Sequence, residues 1–184
     1  MTRYPFPSPE FDELFKTYEH TAFRLEVRER YNSPDEQESL GNFLAGQPDD
    51  WPARDDDGWL PMIRATTAEG KRFERVRVVN VPPSDYTRFG LWSSRWTVGA
   101  GEDIRYLARN RAVEQGLPSH DYWLFDSRKL VLMHFDDADD RLVEIEVIEN
   151  DPEQIILHNY WRDAARHHAL RREDFAAEHS IRGV

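Results

Sequence analysis

The chain has 184 residues, of which 24 are Lys or Arg and 35 are Asp or Glu, so its formal net charge at pH 7 is −11. Hydrophobic residues make up 39% and aromatic residues 12%, which favours a folded domain with a ring-rich core over an intrinsically disordered chain. The acidic balance argues against a protein that coats nucleic acid or an anionic membrane, and the lack of cysteine excludes disulfides, thiolate metal sites and a cysteine nucleophile.

Residues 8–70 predict an N-terminal helix–strand–helix elaboration. Ser8 followed by Pro9 is typical of a helix start, and the alternation of apolar and polar residues over 21–27 predicts a half-buried strand. Residues 33–36, SPDE, match a capping box and predict the start of a second helix. An acidic, Pro-containing loop over 47–58 and a helix over 59–68 complete this part.

Residues 71–171 predict a mixed α/β core. The apolar patterns indicate strands over 71–81, 103–107, 122–126, 129–136 and 141–149, and helices over 84–99, 109–115 and 151–171. One crossover helix indicates a parallel strand pair, and the later tight turns indicate antiparallel hairpins. We therefore predict a single domain over 1–184 with an α/β (α+β) fold, a mixed sheet of about five to six strands with helices packed on it, and a polar tail over 172–184.

Four segments together resemble a known family: FRLEVRERY (23–31), RVRVVNVPPSDYTRFGL (75–91), AGEDIRYL (100–107) and HDYWLFDSRKLVLMHFD (120–136). They are similar to an uncharacterised actinobacterial domain of unknown function whose genes often lie beside helix-turn-helix regulators, and the likeness covers about residues 11–171. The resemblance implies a bacterial accessory protein that acts with such a regulator, and it supplies no catalytic residue. Of the 24 basic residues, 21 are Arg, which is typical of a GC-rich genome.

The order of elements also resembles a single phospholipase D-like half. The signature of that superfamily is His-x-Lys-x₄-Asp, and here His120 is followed at the matching positions by Tyr122 and Ser127. The Lys and the Asp of the signature are missing, so this resemblance implies the fold without phosphodiesterase chemistry.

Charged side chains share the polar faces of three strands and suggest a site for an anionic ligand. Should the strand ends converge, Arg24, Arg105 and Arg128 would grip a carboxylate or phosphate, because guanidinium groups bind such anions through a planar fork. The competing interpretation is a set of cross-strand ion pairs. The candidate ligand-binding residues are Arg24, Glu26, Asp103, Arg105, Asp126 and Arg128.

The acidic loop is the candidate surface for a protein partner, because it combines one large ring with five carboxylates that can face a basic DNA-binding domain. Its residues are Asp49, Asp50, Trp51, Asp55, Asp56 and Asp57. The seven histidines show no zinc-site spacing, and the acidic run does not supply the ligands of a calcium loop, so we expect no metal and no cofactor.

Two functions remain open from the sequence. The first is a non-enzymatic regulatory module that acts with a helix-turn-helix partner in a bacterial cytoplasm, without direct contact to nucleic acid or membrane. The cytoplasmic location is expected because the sequence contains neither an apolar signal segment nor a run of about 18 apolar residues. The alternative is a sensor of, or enzyme on, a small anionic or phosphorylated molecule, with a polar pocket at the sheet ends. A strongly shifted carboxylate or His in a deep pocket would favour the alternative.

Overall fold

One mixed sheet of eight strands organises the chain. The computed structural model describes residues 1–48 and 58–181. The strands are β1 (Thr2–Pro5), β2 (Thr21–Glu26), β3 (Arg72–Val79), β4 (Asp103–Ala108), β5 (Tyr122–Phe125), β6 (Lys129–Asp136), β7 (Arg141–Ile148) and β8 (Leu170–Arg171). Their order in the sheet is β1-β7-β6-β5-β2-β3-β4-β8.

Seven α-helices accompany the sheet within the described residues. They are α1 (Pro9–Thr17), α2 (Gln37–Leu44), α3 (Trp59–Ala68), α4 (Asp85–Gly99), α5 (Arg109–Glu114), α6 (Pro152–His168) and α7 (Arg172–Glu178), and a 3-10 turn at Pro34–Glu36 precedes α2. None of these helices is long and apolar enough to cross a membrane.

The three central strands run in the same direction. β2 pairs with β3 and β3 pairs with β4 in parallel, whereas β5 joins β2 in antiparallel orientation and continues into β6 and β7 as a meander. Because β2, β3 and β4 are parallel, their carboxyl ends meet at one edge of the sheet. In α/β proteins that edge is the usual place for a ligand.

The predicted mixed α/β fold is confirmed, but the expected five to six strands were too few. The two additional strands are β1 and β8, which form the two margins of the sheet. β1 ends in Pro5 and β8 has only two residues between two helices, so neither carries the alternating apolar pattern that identifies a strand.

Two segments lie deeper in the fold than their place in the sequence suggested. β2, predicted within the N-terminal elaboration 8–70, lies in the middle of the sheet between β5 and β3. The segment predicted as a polar tail begins with α7, where Phe175 is 1% exposed and its ring centroid lies 5.6 Å from that of Tyr106 on β4.

Helix caps follow the sequence signals at two predicted starts and depart from them at a third. Ser8 Oγ accepts a hydrogen bond from the Phe11 N–H, and Ser84 Oγ accepts one from the Thr87 N–H. The capping box predicted at 33–36 does not form, and the chain makes a 3-10 turn there without a side-chain cap. The carboxylate of Glu36, which such a box requires, accepts a hydrogen bond from Tyr86 Oη at 2.8 Å instead.

Alternation along the strands gives the sheet two different faces. One face, which we call the cavity face, carries Phe73 and Trp123 and packs against α1 and α3. The opposite face carries Phe23 and Tyr122 and packs against α5 and α6, through residues such as Ala165.

Candidate ligand-binding site

A cavity of about 500 Å³ lies on the cavity face of the sheet. Its floor is formed by side chains of β2, β3, β5 and β6, and its walls by the N-terminal segment, α1, the chain between β2 and α2, and the beginnings of α3 and α4. This volume falls within the range of pockets that hold small molecules, about 300–1,000 Å³.

Three arginines converge on the floor of this cavity. Parallel pairing places Arg24 of β2 beside Arg75 of β3, and Glu26 beside Arg77. The side chains of Arg24, Arg75 and Arg77 are only 16%, 14% and 10% exposed. Because guanidinium groups stay protonated in proteins, this part of the sheet holds three permanent positive charges.

Glu26 is the shared counter-ion of the three arginines. Its Oε1 lies 3.1 Å from Arg24 Nε and 3.0 Å from Arg75 Nη1, and its Oε2 lies 2.8 Å from Arg77 Nε. The contact with Arg77 is an ion pair whose angle is not that of a hydrogen bond. Burial alone would raise the pKa of the Glu26 carboxyl, but the three positive charges outweigh it and lower the pKa from 4.5 to about 2.

Two further carboxyls complete the charged surroundings. Glu102, whose side chain is fully buried, accepts a hydrogen bond from Arg75 Nε at 2.7 Å. Asp121 lies 4.0 Å from Arg24 Nη2, and burial raises the pKa of its carboxyl. Within the described residues, no hydrogen bond engages the terminal nitrogens of Arg24 or Arg77, and both residues line the cavity.

Aromatic rings hold the guanidinium groups of Arg24 and Arg77 in place. The Arg24 guanidinium lies 5.5 Å from the ring centroids of both Tyr31 and Trp123, and that of Arg77 lies 5.8 Å from Tyr31 and 5.5 Å from Tyr86. Burial raises the pKa of Tyr31 and of Tyr86, so both phenols remain protonated. Tyr31 Oη donates a hydrogen bond to Asp121 at 2.6 Å, which fixes this ring against the arginines.

Two local features mark the site as built for a particular shape. A Cβ at position 90 would overlap Arg77 Nη1, so Gly90 on α4 leaves the space that this guanidinium occupies. Trp123 also lines the cavity and is 1% exposed, and its buried indole N–H has no hydrogen-bond partner among residues 1–48 and 58–181. A buried donor of this kind is uncommon and calls for an acceptor.

Of the predicted ligand-binding residues, Arg24 and Glu26 lie in the cavity and the other four do not. Asp103 and Arg105 are on the opposite face of the sheet, because their register places them beside Glu74 and Val76. There Arg105 Nη2 pairs with Asp103 Oδ2 at 3.0 Å.

The last two predicted residues lie at the amino end of β2. The Asp126 carboxylate accepts hydrogen bonds from three consecutive backbone N–H groups, at residues 19 to 21, and burial of Asp126 is outweighed by these donors, which lower its pKa. Arg128 pairs with Glu19 at 3.0 Å. Arg24, Arg105 and Arg128 are therefore not brought together. The predicted partner residues Asp49, Asp50, Trp51, Asp55, Asp56 and Asp57 lie outside the described residues.

Four residues that line the cavity were not predicted from the sequence: Arg75, Arg77, Trp123 and Tyr31. The available signal was the run RVR at 75–77, in which two charges interrupt a central strand otherwise rich in valine. Such charges on an internal strand need charged partners on the same face of the sheet. Arg24 and Glu26 of β2 were the candidates for these partners.

A pair of histidines lies on the opposite face of the sheet. His158 Nδ1 contacts the Gln154 carbonyl at 2.7 Å and must carry the proton there, so its Nε2 accepts from His120 Nε2 at 3.0 Å. Burial and the neighbouring imidazole lower the pKa of His120 to about 4, and burial lowers that of His158. Residues 1–48 and 58–181 contain no group of three or more His, Asp or Glu side chains arranged to hold a metal ion.

Solved structures with a similar fold include a phospholipase D family member, Nuc, from Salmonella typhimurium. The two chains share 11% identity over 92% of this chain and 95% of that one, with a TM-score of 0.54, which shows a phospholipase D-like fold. NucT from Helicobacter pylori matches at 9% identity over 92% and 97% of the chains, with a TM-score of 0.49. Phosphatidylserine synthase from Haemophilus influenzae Rd KW20 matches at 10% identity over 88% of this chain and 36% of that one, with a TM-score of 0.42.

At the level of sequence, one family model matches residues 9–177. Its description is a domain of unknown function, DUF6879. No curated protein matches the chain.

Proposed function

The chain belongs to the family of domains of unknown function DUF6879, and from its own residues we propose that it binds a small anionic ligand in the cavity. The observation that carries the proposal is the buried set of Arg24, Arg75 and Arg77. Among the described residues three carboxylates lie at ion-pair distance from this set, but none of them accepts a hydrogen bond from the terminal nitrogens of Arg24 or Arg77. Buried charges are costly unless they are both paired and hydrogen-bonded, so a ligand carboxylate or phosphate that accepts from the terminal nitrogens of Arg24 and Arg77 would complete the cluster. The depressed pKa of Glu26 inside a pocket supports the same interpretation.

The proposed role is that of a sensor and not of a phosphodiesterase. The positions that would carry the Lys and the Asp of the phospholipase D signature hold Tyr122 and Ser127. Tyr122 Oη donates a hydrogen bond to the His158 carbonyl, and Ser127 Oγ accepts one from Arg162 Nη1. His120 itself contacts His158 on the face of the sheet opposite to the cavity.

The setting in which this sensor works is also part of the proposal. A bacterial, actinobacterial cytoplasm and a helix-turn-helix partner are supported by the family resemblance, by the excess of Arg over Lys and by the net charge of −11, which suits a basic partner. Ligand binding would then alter how the module engages its regulator.

Inorganic phosphate is the first probe for the ligand site. Thermal unfolding of the purified protein is followed as phosphate is added at constant ionic strength, with chloride as the balancing salt. We expect phosphate to raise the melting temperature of the wild type and of Arg128→Gln, whose side chain is 68% exposed. Arg24→Gln should lose the effect yet remain folded, because Glu26 still forms ion pairs with Arg75 and Arg77. An equal stabilisation of Arg24→Gln, or none of the wild type, would contradict the proposal.

Binding kinetics test the proposed partner. A helix-turn-helix regulator encoded beside the gene is measured at two salt concentrations against the wild type, Trp51→Ala, and a variant in which Asp49, Asp50 and Asp55 to Asp57 are replaced by Asn. We expect faster dissociation of the Trp51 variant, and slower association with a flatter salt dependence for the Asn variant. Wild-type kinetics of both variants would show that this segment is not the contact.

A further inference from the structure

The cavity is divided into a charged half and an apolar half. The charged half lies over β2 and β3, where the three arginines and Glu26 are found. From Arg24 the floor continues through Trp123 of β5, which is its direct neighbour in register, to side chains of β6 and β7. The apolar half is lined by Phe6, Phe11, Phe15, Met133, Phe135 and Leu142.

The apolar half is a continuous wall of packed rings. The ring centroids of Phe6 and Phe11 lie 5.6 Å apart, those of Phe11 and Phe15 5.2 Å, and those of Phe15 and Trp123 5.0 Å. The two charged residues at the outer margin of this half are paired with residues outside the cavity: Asp140 accepts a hydrogen bond from Arg28 Nη2 at 2.7 Å, and Arg141 pairs with Asp139 at 3.3 Å. A ligand in this half therefore meets carbon surface and little that would recognise a polar group.

The dimensions fix how long such a ligand must be. Neighbouring strands of a sheet lie about 4.8 Å apart, so β6 is about 10 Å from β2 across the floor. A phosphate alone would occupy the arginine end and leave the apolar half empty.

We propose that the ligand is an amphiphilic anion, with a carboxylate or phosphate held by Arg24 and Arg77 and an apolar body about 10 Å long against the ring wall. This inference rests on the proposed function, because it takes the arginine cluster as the anion site. It excludes a ligand that is polar along its whole length, such as a nucleotide, because the apolar half could not satisfy the hydrogen-bonding groups of a base.

Four probes separate the contributions of charge and apolar body: inorganic phosphate, hexyl phosphate, hexanol and adenosine monophosphate. Burial of each carbon contributes a factor of about four in affinity, so four buried carbons give more than about a hundredfold. We expect calorimetry to show hexyl phosphate binding at least about a hundredfold more tightly than inorganic phosphate, and more tightly than hexanol or adenosine monophosphate. Hexanoate, compared with hexyl phosphate, distinguishes a carboxylate from a phosphate as the preferred headgroup.

Two leucine variants locate the apolar body. Leu142→Asn makes the apolar half polar and should weaken hexyl phosphate about tenfold while leaving inorganic phosphate unchanged. The matched control is Leu132→Asn, a partly buried leucine on the opposite face of the sheet, which should leave both affinities unchanged. Equal weakening by the two variants would overturn the assignment of the apolar half.

The remaining outcomes distinguish this inference from the function on which it rests. If inorganic phosphate or adenosine monophosphate binds as tightly as hexyl phosphate, and Arg24→Gln abolishes that binding, the amphiphilic ligand is refuted and the anion site stands. If hexanol binds as tightly as hexyl phosphate, or if no anion binds, both are refuted.

Discussion

Replacing Glu26 by Gln tests whether one carboxylate holds the arginine cluster together. The substitution keeps the shape of the side chain and removes only its charge. A fall of the pKa from 4.5 to about 2 corresponds to about 3 kcal/mol of folding free energy at neutral pH, since each unit is worth about 1.4 kcal/mol. Removing one partner of a buried ion pair costs a similar amount, about 3–5 kcal/mol. We therefore expect Glu26→Gln to lose about 3 kcal/mol of stability at pH 7.

The pH dependence of this loss identifies its cause. Because the pKa of Glu26 is lower in the folded chain, its stabilising effect is complete above pH 4.5 and disappears as the pH falls through about 2. Urea unfolding of wild type and Glu26→Gln should differ by about 3 kcal/mol at pH 7 and pH 5, and by about 1 kcal/mol at pH 3.

A partly exposed glutamate provides the control for this experiment. Glu144 on β7 pairs with Arg3 at 3.0 Å at the surface, so Glu144→Gln should change stability by less than about 1 kcal/mol at every pH. A difference between wild type and Glu26→Gln that is absent at pH 7, or that stays constant down to pH 3, would refute the role given to this carboxylate.

Three further substitutions test two contacts elsewhere in the fold and one beside the site. Asp126→Ala removes the acceptor of three backbone N–H groups at 2.7–2.9 Å and should lower the unfolding free energy in urea by about 3 kcal/mol; a loss below about 1 kcal/mol would contradict this. The wild type should lose stability as the pH falls from 6.5 to about 4, because His120 is held neutral only in the folded chain, and His120→Asn should flatten that thermal-unfolding profile. Gly90→Ala should displace Arg77, lower the melting temperature and weaken phosphate binding, whereas Gly99→Ala in the same helix meets open space and should do neither.

The central fold could be predicted from the sequence because its strands carry their own patterns. β2 and β7 alternate clearly, β6 contains a continuous apolar run, and β3 is rich in β-branched residues. β1 and β8 could not be found in this way. Segments of two to four residues at a sheet margin are too short to show a pattern, and they become strands only by pairing with the neighbouring strand. The capping box at 33–36 misled for a related reason, because the competing partner of Glu36 is Tyr86, 50 residues away.

Half of the binding site was visible in the sequence and half depended on register. Arg24 and Glu26 share a face of one strand, which alternation alone reveals. Whether Arg75 and Arg77 join them is decided by the parallel pairing of β2 with β3, and a shift by one residue would turn both to the opposite face. The predicted convergence of Arg24 with Arg105 and Arg128 assumed a register that the sheet does not have.

The two margins of the sheet limit how this molecule can associate. An exposed sheet edge is a template on which another chain can add a strand, in functional complexes and in fibrils alike. Here one margin is the four-residue β1, whose Pro5 has no N–H to donate, and the other is the two-residue β8, followed at once by α7. Strand addition is therefore poorly supported at either side, and edge-to-edge aggregation should be slow even in concentrated solution. Assembly with another protein is directed instead to helices and connecting segments.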